Sequence, residues 1–297
     1  MKATAALLAL LCVAWTPSTT LAQTNDTVAG NGSPGLTGDG GPAVPDVVLD
    51  GTETQAELDA ITDIPGDLII DGPDITSISL PNLTNIGGNL VVENNTQLSA
   101  LSVGGLTAVG GSVTITNNDN CDDIDLGSLE AVGGSVTITS NDSVGPIPLP
   151  NLEAIGGSVT IANNEDVGPI PLPNLEAVGG SVTITNNDDV GPIPVTNLEA
   201  VGGSVTITNN VGLIPVTNLE AVGGSVTITN NDDVGPIPVT NLEAVGGSVT
   251  ITNNDNCDDI DLGSLEAVGG SVSITDNQSL DTLNKRQRRR SRRRGRL

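Results

Sequence analysis

The residue types most able to do chemistry in this chain are carboxylates at fixed intervals. Glu130, Glu153, Glu176, Glu199, Glu220, Glu243 and Glu266 recur every 21 or 23 positions. Asp188, Asp189, Asp232 and Asp233 fall at a second recurring place, beside asparagines. Rows of carboxylate and amide oxygens suit Ca²⁺, a hard cation. Glu153, Glu176, Glu199, Glu220, Glu243, Asp188, Asp189, Asp232 and Asp233 are therefore candidate calcium ligands. The same rows also read as a solvated acidic face, because blocks of like charge usually are. No organic cofactor is expected.

Hydroxyls recur as well. Ser112/Thr114/Thr116, Ser181/Thr183/Thr185 and Ser225/Thr227/Thr229 alternate with valine and isoleucine. Such a Thr-x-Thr array resembles the flat face of β-helical antifreeze proteins. Threonine also favours strands for packing reasons alone.

Little else could act on a substrate. There is no His, Tyr or Phe, and the single Trp15 lies near the start. Of the 10 basic residues, Lys2 is one and the other nine fall between Lys285 and Arg296. Residues 23–284 thus hold all 36 acidic residues and no base. No set there supplies nucleophile, base and electrostatic stabiliser together, so an enzyme is not expected. A body without cations is also unsuited to phosphate backbones, which excludes nucleic acid as its partner.

The remaining reactive groups are few. Cys121 and Cys257 sit in identical 20-residue blocks, six repeats apart. Stacked repeats put them roughly 29 Å from each other, too far for a disulfide. Each is then buried or free for an intermolecular bond. Sequons place candidate N-glycans at Asn25, Asn31, Asn82, Asn94, Asn141 and Asn277. Arg286-Gln-Arg-Arg289 resembles a dibasic processing site, with cleavage after Arg289. The basic segment around it has two other readings, binding to an anionic polymer or membrane surface and loose pairing with the acidic body.

The elements that must position these residues come from a repeat. Gly-Gly pairs begin at Gly87, Gly110, Gly133, Gly156, Gly179, Gly202, Gly223, Gly246 and Gly269, and Gly66 opens a degenerate earlier copy. In most copies a Ser-Val-Thr-Ile-Thr strand alternates apolar and polar positions. A glycine pair precedes it, where positive φ is expected. An Asn-Asn turn follows, read as an external loop because one copy loses two residues after Asn210. The next segment carries Pro169, Pro171 and Pro173 in one copy, so that side should be ragged. Leu152, Ile155, Val159, Ile161, Val167, Ile170 and Leu172 can point inward together. The expected fold is all-β, a right-handed parallel β-solenoid of about ten coils of 21–23 residues.

Around it, residues 1–22 read as a signal peptide, with a small-x-small site at Thr20-Leu21-Ala22. Residues 23–54 read as a Gly/Pro/Asp-rich linker, 55–280 as the solenoid and 281–297 as a disordered basic tail. No other stretch is long and apolar enough to span a membrane.

Ile78-Ser-Leu-Pro-Asn-Leu-Thr-Asn-Ile-Gly-Gly-Asn-Leu-Val-Val-Glu-Asn-Asn95 resembles the receptor L-domain type of leucine-rich repeat. Such repeats occur in receptor ectodomains and in fungal cell-wall organisation proteins. The resemblance implies an extracellular or cell-surface protein that binds a protein or glycan ligand. The resulting expectation is a secreted, non-catalytic interaction scaffold. A Ca²⁺- or mineral-binding protein and an ice-interacting protein are the alternatives.

Overall fold

A strand that alternates Val and Ile with Thr has one apolar face, and a single coil has nothing to cover it with. Stacking provides the cover. The computed structural model describes residues 44–285, apart from 189–192, 211–215, 233–234 and 238. It is a parallel β-solenoid of about ten coils, and its strands pair with equivalents one coil away. One side is an 11-stranded sheet running from Val47–Leu49 to Val272–Thr275. A second is a 10-stranded sheet of two-residue strands, from Asp63–Ile64 to Ala267–Val268.

Register is set by identity. Val159 pairs with Val182, Thr160 with Thr183 and Ile161 with Ile184, so each row repeats one residue type. The seven inward aliphatics from Leu152 to Leu172 are all at most 2 % exposed. Each contributes about 1.5–3 kcal/mol when fully buried.

The third side shows what proline does to a ladder. Where the segment lacks proline it forms strands, at Ser77–Ser79, Ala100–Ser102, Asp123–Asp125 and Asp259–Leu262. Where prolines alternate, no strand forms over 144–149 or 167–172. Alternate amides still reach across: Ile147 N–H donates to the Pro169 carbonyl at 3.1 Å, and Leu172 N–H to that of Pro194 at 3.2 Å. The prolines occupy the places with no donor to give.

Three expectations need correction. The solenoid starts before residue 55, because Val47–Leu49 pairs with Leu68–Ile70. It also reaches past 280, because Thr282–Lys285 pairs with Asp259–Leu262. The Gly-Gly pairs do not adopt positive φ. They serve close approach instead: a Cβ on Gly179 would collide with the Gly156 carbonyl, and one on Gly156 with that of Gly133.

Positive φ falls on the residue after each strand of the 11-stranded sheet from Leu90–Glu93 onward: Asn94, Asn117, Ser140, Asn163, Asn186, Asn209, Asn230, Asn253 and Asp276. Asparagine tolerates this region better than most side chains. At the N-terminal end a single helical turn, Gln55–Leu58, carries a capping box between Thr54 and Glu57. Hydrogen bonds from the Thr54 N–H and hydroxyl hold the Glu57 carboxyl below its usual range.

Candidate functional site

Three of the repeated polar rows hold the solenoid together. The second asparagine of each pair is buried, from Asn95 through Asn254, at no more than 3 % exposure. The turn is therefore external except at that residue. Asn187 is representative. Its Nδ2 donates to the Ile161 carbonyl at 3.0 Å and to Asn210 Oδ1 at 2.9 Å. Its Oδ1 accepts from Asn164 N–H at 3.3 Å and Asn164 Nδ2 at 2.9 Å. The ladder continues from Asn210 to Asn231 at 3.0 Å, across the two-residue deletion. The first asparagines make a second, exposed ladder, as from Asn209 Nδ2 to Asn186 Oδ1 at 2.8 Å.

The serines form the third. Ser181 N–H donates to Ser158 Oγ, and Ser204 N–H to Ser181 Oγ, each at 3.0 Å. Upstream the same place is filled by Asn89, Asp67 and Asp46, whose side chains accept in the same way. Sequence reasoning placed serine on a free outward face. The signal that it belongs to a ladder was its exchange for Asp and Asn, which share only an acceptor oxygen.

That leaves the threonines. Thr114, Thr137, Thr160, Thr183, Thr206, Thr227 and Thr250 stand in one row of the 11-stranded sheet. Thr116, Thr139, Thr185, Thr208, Thr229, Thr252 and Thr275 form a parallel row, broken only by Ala162. Successive threonines within a row lie about 4.8 Å apart, the spacing of neighbouring strands. Thr116 and Thr139 share a hydrogen bond at 3.1 Å. The result is a partly exposed hydroxyl surface without a charged side chain on these strands from Val113 to Thr275.

The carboxylates are arranged otherwise. Glu153, Glu176, Glu199, Glu220 and Glu243 are exposed and strung in single file, each N–H bonded to the preceding glutamate carbonyl where both belong to the row. Asp188 and Asp232 lie at a different corner of the coil, two strands further on. Among the described residues no three His, Cys, Asp or Glu side chains group as a metal ion requires. Asp189 and Asp233 lie outside the described residues, as do Asn25, Asn31, Arg289 and the signal segment. The calcium-ligand reading of the nine carboxylates thus gains no converging geometry from the residues described.

Of the sequons, Asn82 and Asn94 are exposed and Asn277 is partly buried. Asn141 is corrected: it is 0 % exposed, and its Nδ2 donates to the Ile115 carbonyl and to Asn164 Oδ1, both at 3.1 Å. A glycan there is incompatible with the fold.

Cys121 and Cys257 are free and fully buried, which also removes them as sites for an intermolecular disulfide in the folded chain. Burial pushes each thiol up to about 11, helped by flanking aspartates. The thiolate is the reactive form. Native protein at pH 8 should therefore leave Cys121 and Cys257 unmodified by a maleimide over a period in which denatured protein is labelled at both, read by peptide mass.

The chain matches no family model and no curated protein.

Proposed function

We propose that this chain is a non-catalytic extracellular interaction scaffold whose 11-stranded sheet presents its threonine rows to a glycan or protein ligand at a cell surface, matrix or wall. The observation that carries this reading is the in-register, uncharged threonine surface, a repeated polar feature that the asparagine and serine ladders do not absorb. Support also comes from what the body lacks. Without His, Lys, Arg or Tyr between residues 23 and 284 it offers few groups for acid–base or nucleophilic chemistry. A rigid repeated surface suits a ligand that is itself extended, because each coil adds an equivalent contact.

Binding of the full chain to a panel of insoluble polysaccharides and matrix proteins tests this. The pair Thr183→Lys and Thr206→Lys should weaken capture by at least about tenfold, since two buried ammonium groups would be unpaired in the interface. Asn174→Lys, on an exposed corner away from this sheet, should leave capture unchanged. Release of soluble sugar by the purified protein would sink the reading, and so would capture indifferent to both threonine changes.

The same uncharged lattice favours a second reading, interaction with ice. Faceted ice crystals in the presence of the protein, reverting to discs with Thr183→Lys, would select it over the first.

A further inference from the structure

Two corners of the coil carry an exposed asparagine again and again. At one, Asn151, Asn174 and Asn241 are followed two places on by Glu153, Glu176 and Glu243. At the other, Asn117, Asn163 and Asn186 are followed two places on by Asp119, Glu165 and Asp188. In one early coil threonine stands in place of the acid at both corners. Asn82-Leu-Thr84 and Asn94-Asn-Thr96 are sequons for that reason, and both asparagines are exposed.

The same coil changes the face of the 11-stranded sheet. Val48 pairs with Ile69, Ile69 with Val91 and Val91 with Thr114. The row that is threonine from Thr114 onward thus begins as three aliphatics. Val48 is 48 % exposed, and Ile69 and Val91 are partly exposed. Outward aliphatics in file make an apolar patch of the kind that proteins cover or use. Asn94 directly follows the strand Leu90–Glu93. It lies about 10 Å from Val91 along the extended chain, within reach of the first sugars of a glycan.

We propose that Asn82 and Asn94 carry N-linked glycans, and that the glycan on Asn94 covers the aliphatic start of the row while the threonines beyond it stay bare. The proposal rests on the extracellular reading, because this modification belongs to secreted chains. In the reaction the side-chain nitrogen attacks the anomeric carbon of a lipid-diphosphate-linked oligosaccharide. A C–N bond forms, the C–O bond to the diphosphate breaks with its electron pair on the leaving group, and the nitrogen releases one proton. One N–H survives. At Asn82 it suffices for the bond to the Asp59 carbonyl at 2.9 Å. At Asn94 the bond at stake runs 3.4 Å to Asp71 Oδ1 in an exposed place, so little is lost. Asn141 has both N–H groups engaged in the buried ladder. Asn277 ends that ladder, donating to the Ile251 carbonyl at 2.9 Å and accepting from Asn254 Nδ2 at 2.8 Å. Both of these stay unmodified. A glycan is bulky and solubilising, which suits an apolar strip at the surface.

The full chain, made in cultured animal cells with residues 1–22 in place, tests this. Cutting after glutamate separates the sequons: Asn82 falls in 58–93, Asn94 in 94–130, Asn141 in 131–153 and Asn277 in 267–297. Amide glycosidase treatment beforehand marks each occupied asparagine by turning it into the heavier aspartate. Secreted chain should carry the mark at Asn82 and Asn94 and lack it at Asn141 and Asn277. Asn94→Gln should raise the fluorescence of an apolar dye bound to the secreted chain several-fold. Adding Val48→Thr, Ile69→Thr and Val91→Thr, which carries the threonine row to its start, should cancel the rise. Secreted chain bare at Asn82 or Asn94 would overturn the proposal and leave the extracellular reading standing. A mark at Asn141 or Asn277 would do the same, and so would a dye signal indifferent to Asn94→Gln. Chain kept in the cytosol with every sequon bare would sink the extracellular reading and the proposal with it.

Discussion

Asn187→Asp should cost the solenoid about 3–5 kcal/mol at neutral pH, although it exchanges only an amide nitrogen for an oxygen. The amide is 1 % exposed and uses both of its N–H bonds, one to the Ile161 carbonyl and one to Asn210 Oδ1. A carboxylate keeps the acceptor that Asn164 needs but has nothing to donate. It would point its second oxygen at two acceptors in a site closed to water. The introduced group would therefore resist ionisation in the folded state more than in the unfolded one. Its penalty should grow as pH rises above the ordinary carboxylate range of about 4, and shrink in acid, where one O–H returns one of the lost bonds.

Thermal unfolding followed by far-UV circular dichroism measures this, since the body has no Trp or Tyr to report. The expected drop in Tm is about 6–20 °C. Asn186→Ser is the matched control one residue away. It sits on the exposed ladder at φ 54°, and Ser140 already fills the equivalent place at φ 55°. A drop there as large as at Asn187 would contradict a special role for the buried row.

These asparagines show how far the sequence could be read. The repeat length, the inward aliphatics and the proline-bearing side were all legible, because each rests on spacing or on a missing donor. Stacked asparagines were legible as a ladder too, yet not which member of the pair is buried. Asn186 and Asn187 are the same residue type doing different work, one for its backbone φ and one for its amide. Residue type alone cannot separate them.

The start of the solenoid was missed because Pro45-Asp-Val-Val-Leu49 lacks the glycine pair. Its match to Gly66-Asp-Leu-Ile-Ile70 was the available signal, with Asp46 and Asp67 as the shared acceptor. The threonine rows were visible as a pattern. That they were the uncharged row left over became visible only once the serines and asparagines had partners.

Gly179→Ala separates two explanations of the glycine column that make opposite predictions. If the position needed only an ordinary backbone, alanine would stabilise it by about 0.4–1 kcal/mol through the unfolded chain. Gly179 is not in the left-handed region, so backbone conformation does not forbid the change. What forbids it is the neighbouring coil, whose Gly156 carbonyl lies where the methyl would go. That carbonyl cannot retreat cheaply. Glu176 N–H holds the Glu153 carbonyl at 2.9 Å on one side, and Gly180 N–H holds that of Gly157 at 2.7 Å on the other. Prying the coils apart strains several such bonds at once, so the expected loss is about 3 kcal/mol or more. Gly127 supplies the contrast. It has no positive φ, its only near neighbour is an Asp125 carboxylate oxygen at 3.2 Å, and Pro150 stands at the equivalent place one coil on. Gly127→Ala should therefore be neutral or slightly stabilising in the same melt. Equal effects at the two glycines would mean that coil spacing is softer than these ladders imply.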